Sequence, residues 1–327
     1  MMTGLKEQRV LVDGATGYLG CHLIHKLCLS GSDVRALVHP GARSADVDLL
    51  KNFGAEIFTA DLSVANPEMT ELTGQAFSGC TSVVHLIGSV APKKGERLED
   101  LHTGQTRNLV AACKKAGVKR IVMITSLGAR QDADNSYHAT KWMAENEIRK
   151  SGLEFVILRP PLLFGRLTGK RDSKLVNRYR EIILNKKVVP LINGGKNKIQ
   201  PLFIGDLVEA ICLSLESDEQ GVVNQTLEVG GPQVMTLQKF VEEFMDALNV
   251  RKPIVALHPG VASLLAVVCE AVQTVPTVNR DQVKLALSDN VCAENALLSV
   301  FKLDPTPVKR AFESYNSADS EVGAVKL

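Results

Sequence analysis

Neither sign of charge dominates this chain: its 327 residues hold 38 Lys and Arg against 36 Asp and Glu. No overall field therefore draws it to nucleic acid or to an anionic membrane. Paired cysteine motifs are missing too. Cys21, Cys28, Cys80, Cys113, Cys212, Cys269 and Cys292 are odd in number and scattered, with no Cys-x-x-Cys among them, which fits a reducing compartment and leaves no redox or zinc pair. Metal-ligand spacings and a Gly-x-Ser-x-Gly elbow are absent, excluding metallohydrolase and serine-hydrolase chemistry. Residues 1–9 lack the basic-then-apolar pattern of a secretion signal, so a cytoplasmic protein is expected. The longest apolar run, residues 261–275, carries Glu270 and falls short of the roughly 20 residues that span a bilayer. It reads as a packed helix, ahead of a lipophilic pocket wall or a membrane contact. What is abundant is hydrophobic sequence, 45% of the chain, enough for a sizeable core.

Short β-branched runs alternate with helical patterns, as in a parallel sheet with crossover helices. Strands are expected at residues 9–13, 33–38, 56–59, 82–86 and 120–126. Helices are expected at 18–30, where Leu19, Leu23 and Leu27 share a face, at 103–116, stopped by Gly117, and at 136–151. A run at 155–159 ends at Pro160-Pro161, which cannot continue a central strand. The rhythm then loosens through residues 165–195. It returns with a helix at 204–215 and a strand at 224–229, followed by a helix from the N-cap residue Thr236 to Leu248; residues 248–327 read mostly as helix. The expectation is two subdomains with a cleft between them.

Directly after the first strand stands Gly14-Ala15-Thr16-Gly17-Tyr18-Leu19-Gly20, three glycines three apart at the mouth of a helix. Glycine permits the tight turn and lets backbone amides approach a pyrophosphate, whose charge the positive helix end stabilises. Placed between a strand and a helix, the pattern carries weight that it would lack alone. A carboxylate at Asp13 would repel such a ligand unless turned away. The second strand ends in Val38-His39-Pro40-Gly41-Ala42-Arg43, without the acidic residue that would bond ribose hydroxyls. His39 and Arg43 can meet a 2′-phosphate, so NADP(H) is preferred over NAD(H).

Of the four tyrosines only Tyr137 has a lysine four places on, Lys141, and on a helix that spacing puts both on one face. An ammonium beside a phenol favours the phenolate, lowering its pKa from about 10 towards a range useful for general acid/base work. Tyr137 can then protonate a carbonyl oxygen as hydride arrives.

The glycine spacing, the Tyr137/Lys141 pair after a strand ending in Thr125-Ser126, and the segments 124–129, 157–165, 200–207 and 227–232 together resemble the short-chain dehydrogenase/reductase superfamily. The likeness is to its extended and atypical branches, in particular the group related to the NADPH-binding accessory subunit of respiratory complex I. The resemblance implies an α/β, Rossmann-like doubly wound parallel sheet with a smaller, mostly helical C-terminal substrate subdomain. Residues 1–165 would form the dinucleotide-binding part, with 204–230 returning to it, and 166–203 and 231–327 the substrate part. It implies that Gly14, Thr16, Gly17, Tyr18, Leu19 and Gly20 line the pyrophosphate, that Asp61-Leu62 meets adenine, and that Leu86 and Gly88 floor the cofactor site, with Pro160 and Leu163 also facing it. Ser126 would orient the substrate oxygen, and Lys141 would hold the nicotinamide ribose as well as lower the Tyr137 pKa. The short interval from Ser126 to Tyr137 argues against the sugar-nucleotide epimerase branch.

The function so implied is an NADP(H)-dependent oxidoreductase that reduces a carbonyl, or oxidises the matching alcohol, of a small and conceivably lipophilic substrate. Its alternative is a non-catalytic NADPH-holding assembly or sensor protein. Neither nucleic acid nor a particular oligomeric state is implied. The excess of Arg166, Lys170, Arg171, Lys174, Arg178 and Arg180 over Asp172 can grip an anionic group, although a solvated face is the plainer reading.

Overall fold

The computed structural model describes residues 6, 8–63, 67–92, 95–169 and 171–315. Seven strands form one sheet: β1 (Arg9–Val12), β2 (Asp33–Val38), β3 (Glu56–Thr59), β4 (Ser82–His85), β5 (Arg120–Ile124), β6 (Glu154–Arg159) and β7 (Gln225–Glu228). Their order is β7-β6-β5-β4-β1-β2-β3 and every neighbouring pair is parallel. β4 and β5 are buried throughout, as strands covered on both faces must be. The order reverses between β1 and β4, the place where open α/β sheets bind ligands beyond their carboxyl ends.

Helices α1 (Tyr18–Leu29), α2 (Ser44–Asn52), α3 (Pro67–Phe77), α4 (Gln105–Ala116) and α5 (Ser136–Arg149) connect the strands. One core cluster gathers Leu11, Phe77, Val83, Leu109, Ile121 and Ile157 from strands and helices alike. The sequence pattern does not announce α2 or α3, nor the π-helical turn Asp100–Gly104 that leads into α4. Two buried arginines inside the sheet tie helix ends to it. Nη1 of Arg35 in β2 donates to the carbonyls of Gln75, Ala76 and Ser78 at 2.7–3.0 Å, at the end of α3. Nη1 of Arg120 in β5 donates to those of Ser214, Leu215 and Ser217 at 2.6–3.2 Å. A cation at a helix C-terminus satisfies orphan carbonyls and the negative dipole end together.

The chain divides into two compact units. The first takes the described residues up to Ser89, then Arg97–Arg159 and Val208–Glu228; the second takes Val90–Glu96, Pro160–Leu207 and the described residues from Val229 on. The break falls at Pro160, not at residue 165, because the chain leaves the sheet at the proline pair and Leu163–Phe164 pairs instead with Leu202–Phe203. The second unit holds α6 (Lys174–Asn185), the start of α7 (Ile204–Glu216), α8 (Leu237–Ala247), α9 (Pro259–Val272) and α10 (Arg280–Leu285). Its core is aromatic: Phe164, Phe203, Phe240, Phe244, Phe312 and Tyr315 pack ring against ring at centroid distances of 5.0–6.5 Å, mostly edge-on or tilted, with Phe244 and Phe312 stacked. Past α8 the helices are short apart from α9, and a strand, Ile254–Leu257, pairs in parallel with Val189–Ile192.

α9 does not pack as the sequence suggests. Its inward face is Ala262 and Ala266, while Val261, Leu264, Leu265, Val268 and Val272 point outward, with Leu264 66% and Val272 77% exposed. The small side chains let the helix sit close on Ile192, Leu257, Val278 and Val283, and the large ones are left over. Among the described residues no helix is long and apolar enough to cross a membrane.

Candidate functional site

The glycine turn joins β1 to α1. Gly14 has φ +55°, and its carbonyl accepts from the Gly17 N–H at 2.8 Å. A Cβ on Gly20 would lie 2.5 Å from that carbonyl oxygen and 2.8 Å from the Ala15 oxygen. The obstruction is backbone, so nothing nearby can yield; Gly20→Ala is expected to destabilise the first unit by about 1–3 kcal/mol, read as a lowered Tm. Gly17 caps α1 without a side-chain hydrogen bond, and the first turn holds no acidic residue. Its amides and dipole end are therefore suited to an anion at the sheet's switch point. The residues present fit the pyrophosphate of a dinucleotide.

Asp13, whose carboxylate ought to oppose such an anion, is fully buried and turned towards β4. Oδ1 accepts from the N–H groups of Leu86 (2.6 Å) and Ile87 (3.1 Å), and Oδ2 meets His85 Nδ1 at 2.5 Å. The Thr106 hydroxyl donates to the His102 carbonyl at 2.5 Å, so it accepts from His85 Nε2–H at 2.8 Å. The carboxylate is thereby enclosed by two backbone N–H groups and an imidazole. In this way Asp13 shapes the segment Leu86–Gly88 while keeping its charge from the glycine turn.

The network continues to α5. The Thr140 hydroxyl donates to the Ser136 carbonyl at 2.7 Å, so His102 Nδ1–H donates to Thr140 at 2.8 Å and His102 Nε2 accepts from Ser89 N–H at 3.3 Å. Burial, and next the charge of Lys141, push the His102 pKa down to about 2, in keeping with a neutral ring of fixed tautomer. The π turn, which often marks functional sites, carries His102 as a buried residue.

α5 presents Tyr137, Lys141, Glu145 and Arg149 at fourfold spacing. Asn135 caps it, Oδ1 accepting from His138 N–H at 2.9 Å, and Asn135 Nδ2 donates to His138 Nδ1 at 3.2 Å. The Ser126 hydroxyl is near enough to the Tyr137 phenol to counter part of its pKa rise; Ser126 Oγ donates to the Leu127 carbonyl at 3.3 Å and lies 3.5 Å from His138 Nε2. Burial, then the Arg130 charge, lower the His138 pKa to about 4. Ser126 and Tyr137 are thus brought together, with the His102 and His138 rings 5.7 and 5.4 Å from the phenol ring.

Lys141 reaches the segment that follows β4. Its Nζ donates to the Ile87 carbonyl at 3.2 Å and lies against Gly88, where a Cβ would overlap it. Burial raises the Tyr137 pKa, and only Ser126 works against that; the phenol is held protonated. Burial also lowers the Lys141 pKa to about 8, against the pull of Asp13 and Glu145. Because the folded pKa lies below the ordinary 10.5, the cost of the buried charge is complete below pH 8 and fades as pH rises towards 10.5. Lys141→Met should stabilise the protein by about 2 kcal/mol at neutral pH, after the loss of one hydrogen bond. Thermal unfolding across pH checks this, the gain shrinking above pH 8.

Glu145, fully buried, accepts from Thr125 Oγ1 (2.7 Å), Arg149 Nη2 (2.6 Å), and Arg159 Nε and Nη2 (2.8 and 2.5 Å). Arg149 also reaches Thr226 Oγ1 in β7 at 3.1 Å. This cluster fastens α5 to the residue after β5, to the last residue of β6 and to β7.

Beyond the ends of β2 and β3 His39 Nε2 sits 3.4 Å from Asp61 Oδ2, and Arg43 pairs with Asp46 at 3.0 and 3.1 Å. Burial works against ionisation of Asp61, yet hydrogen bonds from Ser63 together with His39 hold its pKa below the ordinary value. Asn108 Nδ2 fixes the Leu62 carbonyl at 2.6 Å. His39 and Asp61 are brought together; Arg43, 81% exposed, stands at the start of α2. Pro160 and Leu163 belong to the second unit. There Arg166 is committed to Asp172 at 3.4 Å and to the Tyr315 ring at 4.8 Å, and Arg178 to the Thr277 carbonyl at 2.6 Å, so this basic segment in part braces the fold. Sequence reasoning passed over His102, Thr106, His138, Thr140 and Glu145, and placed His85 only within the apolar segment that ends at Gly88. The available signals were a histidine ending an apolar strand, the His102/Thr106 spacing, and the polar stripe that continues past Lys141.

Comparison with known proteins follows the same lines. Over 295 residues the chain is 25% identical to the mitochondrial NADH dehydrogenase (ubiquinone) 1 alpha subcomplex subunit 9 of Arabidopsis thaliana, covering 88% of this chain and 71% of that protein. The NADPH-dependent quinone oxidoreductase QOR2 of Escherichia coli, solved with NADPH, superposes with a TM-score of 0.68 at 18% identity, over 94% of this chain and 100% of that one. MoeE5 in complex with UDP-glucuronic acid and NAD gives 0.69 at 19%, over 94% and 97%. At such identities the two structures show a shared fold. The model of the NAD dependent epimerase/dehydratase family matches residues 10–230, from β1 through the glycine turn and α5 to the end of β7, and the chain belongs to that family.

Proposed function

We propose that this protein is an NADP(H)-dependent oxidoreductase that reduces the carbonyl of a small molecule, or oxidises the matching alcohol. The carrying observation is that Ser126 and the Tyr137 phenol are neighbours, with Ser126 the group that counters the burial-raised phenol pKa: a phenol beside a hydroxyl can orient a carbonyl oxygen and protonate it. A bound dihydronicotinamide supplies the hydride. Ser126 orients the substrate oxygen, Tyr137 delivers its proton, and Lys141, beside Gly88, is available to the nicotinamide ribose. The amides at the start of α1 take the pyrophosphate, Asp61 and Leu62 the adenine side. His39 and Arg43 support NADP(H) over NAD(H), Arg43 exchanging Asp46 for a 2′-phosphate. Arg43→Glu is expected to weaken NADPH binding about tenfold, or about 1.4 kcal/mol, with little change for NADH. The cytoplasm is the compartment that the cysteine pattern fits best.

The test is NADPH oxidation against a panel of ketones, aldehydes and quinones, with wild type and Tyr137→Phe side by side. Turnover that Tyr137→Phe abolishes supports the proposal; turnover that survives the substitution overturns it. A second reading, a cofactor-holding assembly protein, rests on the extent of similarity to the Arabidopsis subunit and on the engagement of Lys141 with Ile87. It predicts no turnover with any carbonyl and intact NADPH binding.

A further inference from the structure

We infer that α9 is an interfacial helix by which the second unit docks on an anionic lipid surface. Its polarity is inverted. Alanines face the protein, and an uncharged row of Val261, Leu264, Leu265, Val268 and Val272 faces outward. Its single charged residue, Glu270, is taken up by Arg280, Oε2 to Nε at 2.9 Å and Oε1 to the backbone N–H at 2.8 Å. With fourteen residues the helix is too short to span a bilayer, which takes roughly 20. An apolar face of this kind with a basic surround is what lies in the plane of a headgroup layer.

Charge decides the occupant. Residues 165–200 and 249–292 hold fourteen Lys and Arg against five Asp and Glu, in a chain whose net charge is +2. The near-neutral whole therefore hides a strongly basic part and an acidic remainder. The two basic segments form one body: Val189–Ile192 pairs with Ile254–Leu257, and Arg178 bonds the Thr277 carbonyl just past α9. Lys284 follows α9, and Lys186 and Lys187 lead into the paired strand, all three exposed; Arg251, which precedes α9, is exposed and paired with Asp246 at 2.6 Å. A second copy on the same face, related by a two-fold axis, would set this basic surround against itself, whereas anionic headgroups complement it.

The full chain is to be sedimented with vesicles of equal parts phosphatidylcholine and phosphatidylglycerol, and with phosphatidylcholine alone. The expected result is binding to the mixed vesicles that weakens with salt and is about tenfold weaker on phosphatidylcholine alone or in Lys186→Glu/Lys187→Glu. It is lost in Leu264→Asp/Val272→Asp, whose circular dichroism and Tm stay those of the wild type because both side chains are exposed. Absence of binding to the mixed vesicles, or binding that the Leu264→Asp/Val272→Asp pair leaves unchanged, overturns the inference. So does a dimer in sedimentation velocity that the same pair dissolves, since the occupant is then a second copy.

Discussion

Replacing Tyr137 by Phe is expected to cut carbonyl turnover by about 10²–10⁴-fold, the usual contribution of a positioned general acid, while NADPH affinity changes little. The substitution removes one oxygen. The ring keeps its contacts with His102 and His138, and α5 keeps its Asn135 cap, so the loss is chemical and not structural. Steady-state rates and cofactor titration on the same preparation separate the two. Since burial raises the phenol pKa, reduction should hold its rate through neutral pH and fall only once the phenol titrates, above its ordinary value near 10. A fall in rate centred well below 10, traced to Tyr137, would mean that Lys141 activates the phenol after all.

Glu145→Ala should be the most damaging single change to stability, about 3–5 kcal/mol. The carboxylate answers two guanidinium groups and a hydroxyl from a fully buried position. Its removal leaves the charges of Arg149 and Arg159 facing one another without an anion, although their partial exposure softens the penalty. Because the cluster joins α5 to the residue after β5, to β6 and to β7, the variant should also lose turnover, through displacement of Tyr137 and Ser126. Chemical denaturation gives the first effect; retention of wild-type stability would show that the cluster does not hold the helix.

The glycine turn and the main sheet were legible because their signals are local. β-branched runs, C-terminal glycines and the three-glycine turn each speak for their own segment, and seven strands in parallel order follow from βαβ repetition. The helix α2 begins at Ser44 with only Leu50 fully buried, so its periodicity is faint. α9 misled for the opposite reason. An apolar run reads as core in one dimension, and only the packing shows that its alanines face inward and its leucines outward.

The site divides in the same way. Tyr137 and Lys141 are four apart on one helix and could be paired on paper, but the direction in which Lys141 points depends on Ile87, a residue 54 positions away. Asp13 looked like a liability beside the glycine turn. Its partners, Leu86 N–H, Ile87 N–H and His85, come from β4 and the residues just after it, beyond the reach of any local pattern. Long-range hydrogen bonds between strand ends are what a single sequence conceals.

The most direct test of the account is titration of the full chain with NADPH and NADH, following nicotinamide fluorescence together with thermal unfolding. The account predicts saturable binding of NADPH, stabilisation of about 2.7 kcal/mol at about 100 times its Kd, and a clearly weaker response to NADH, a difference that Arg43→Glu narrows by weakening NADPH. No response to either dinucleotide would contradict it.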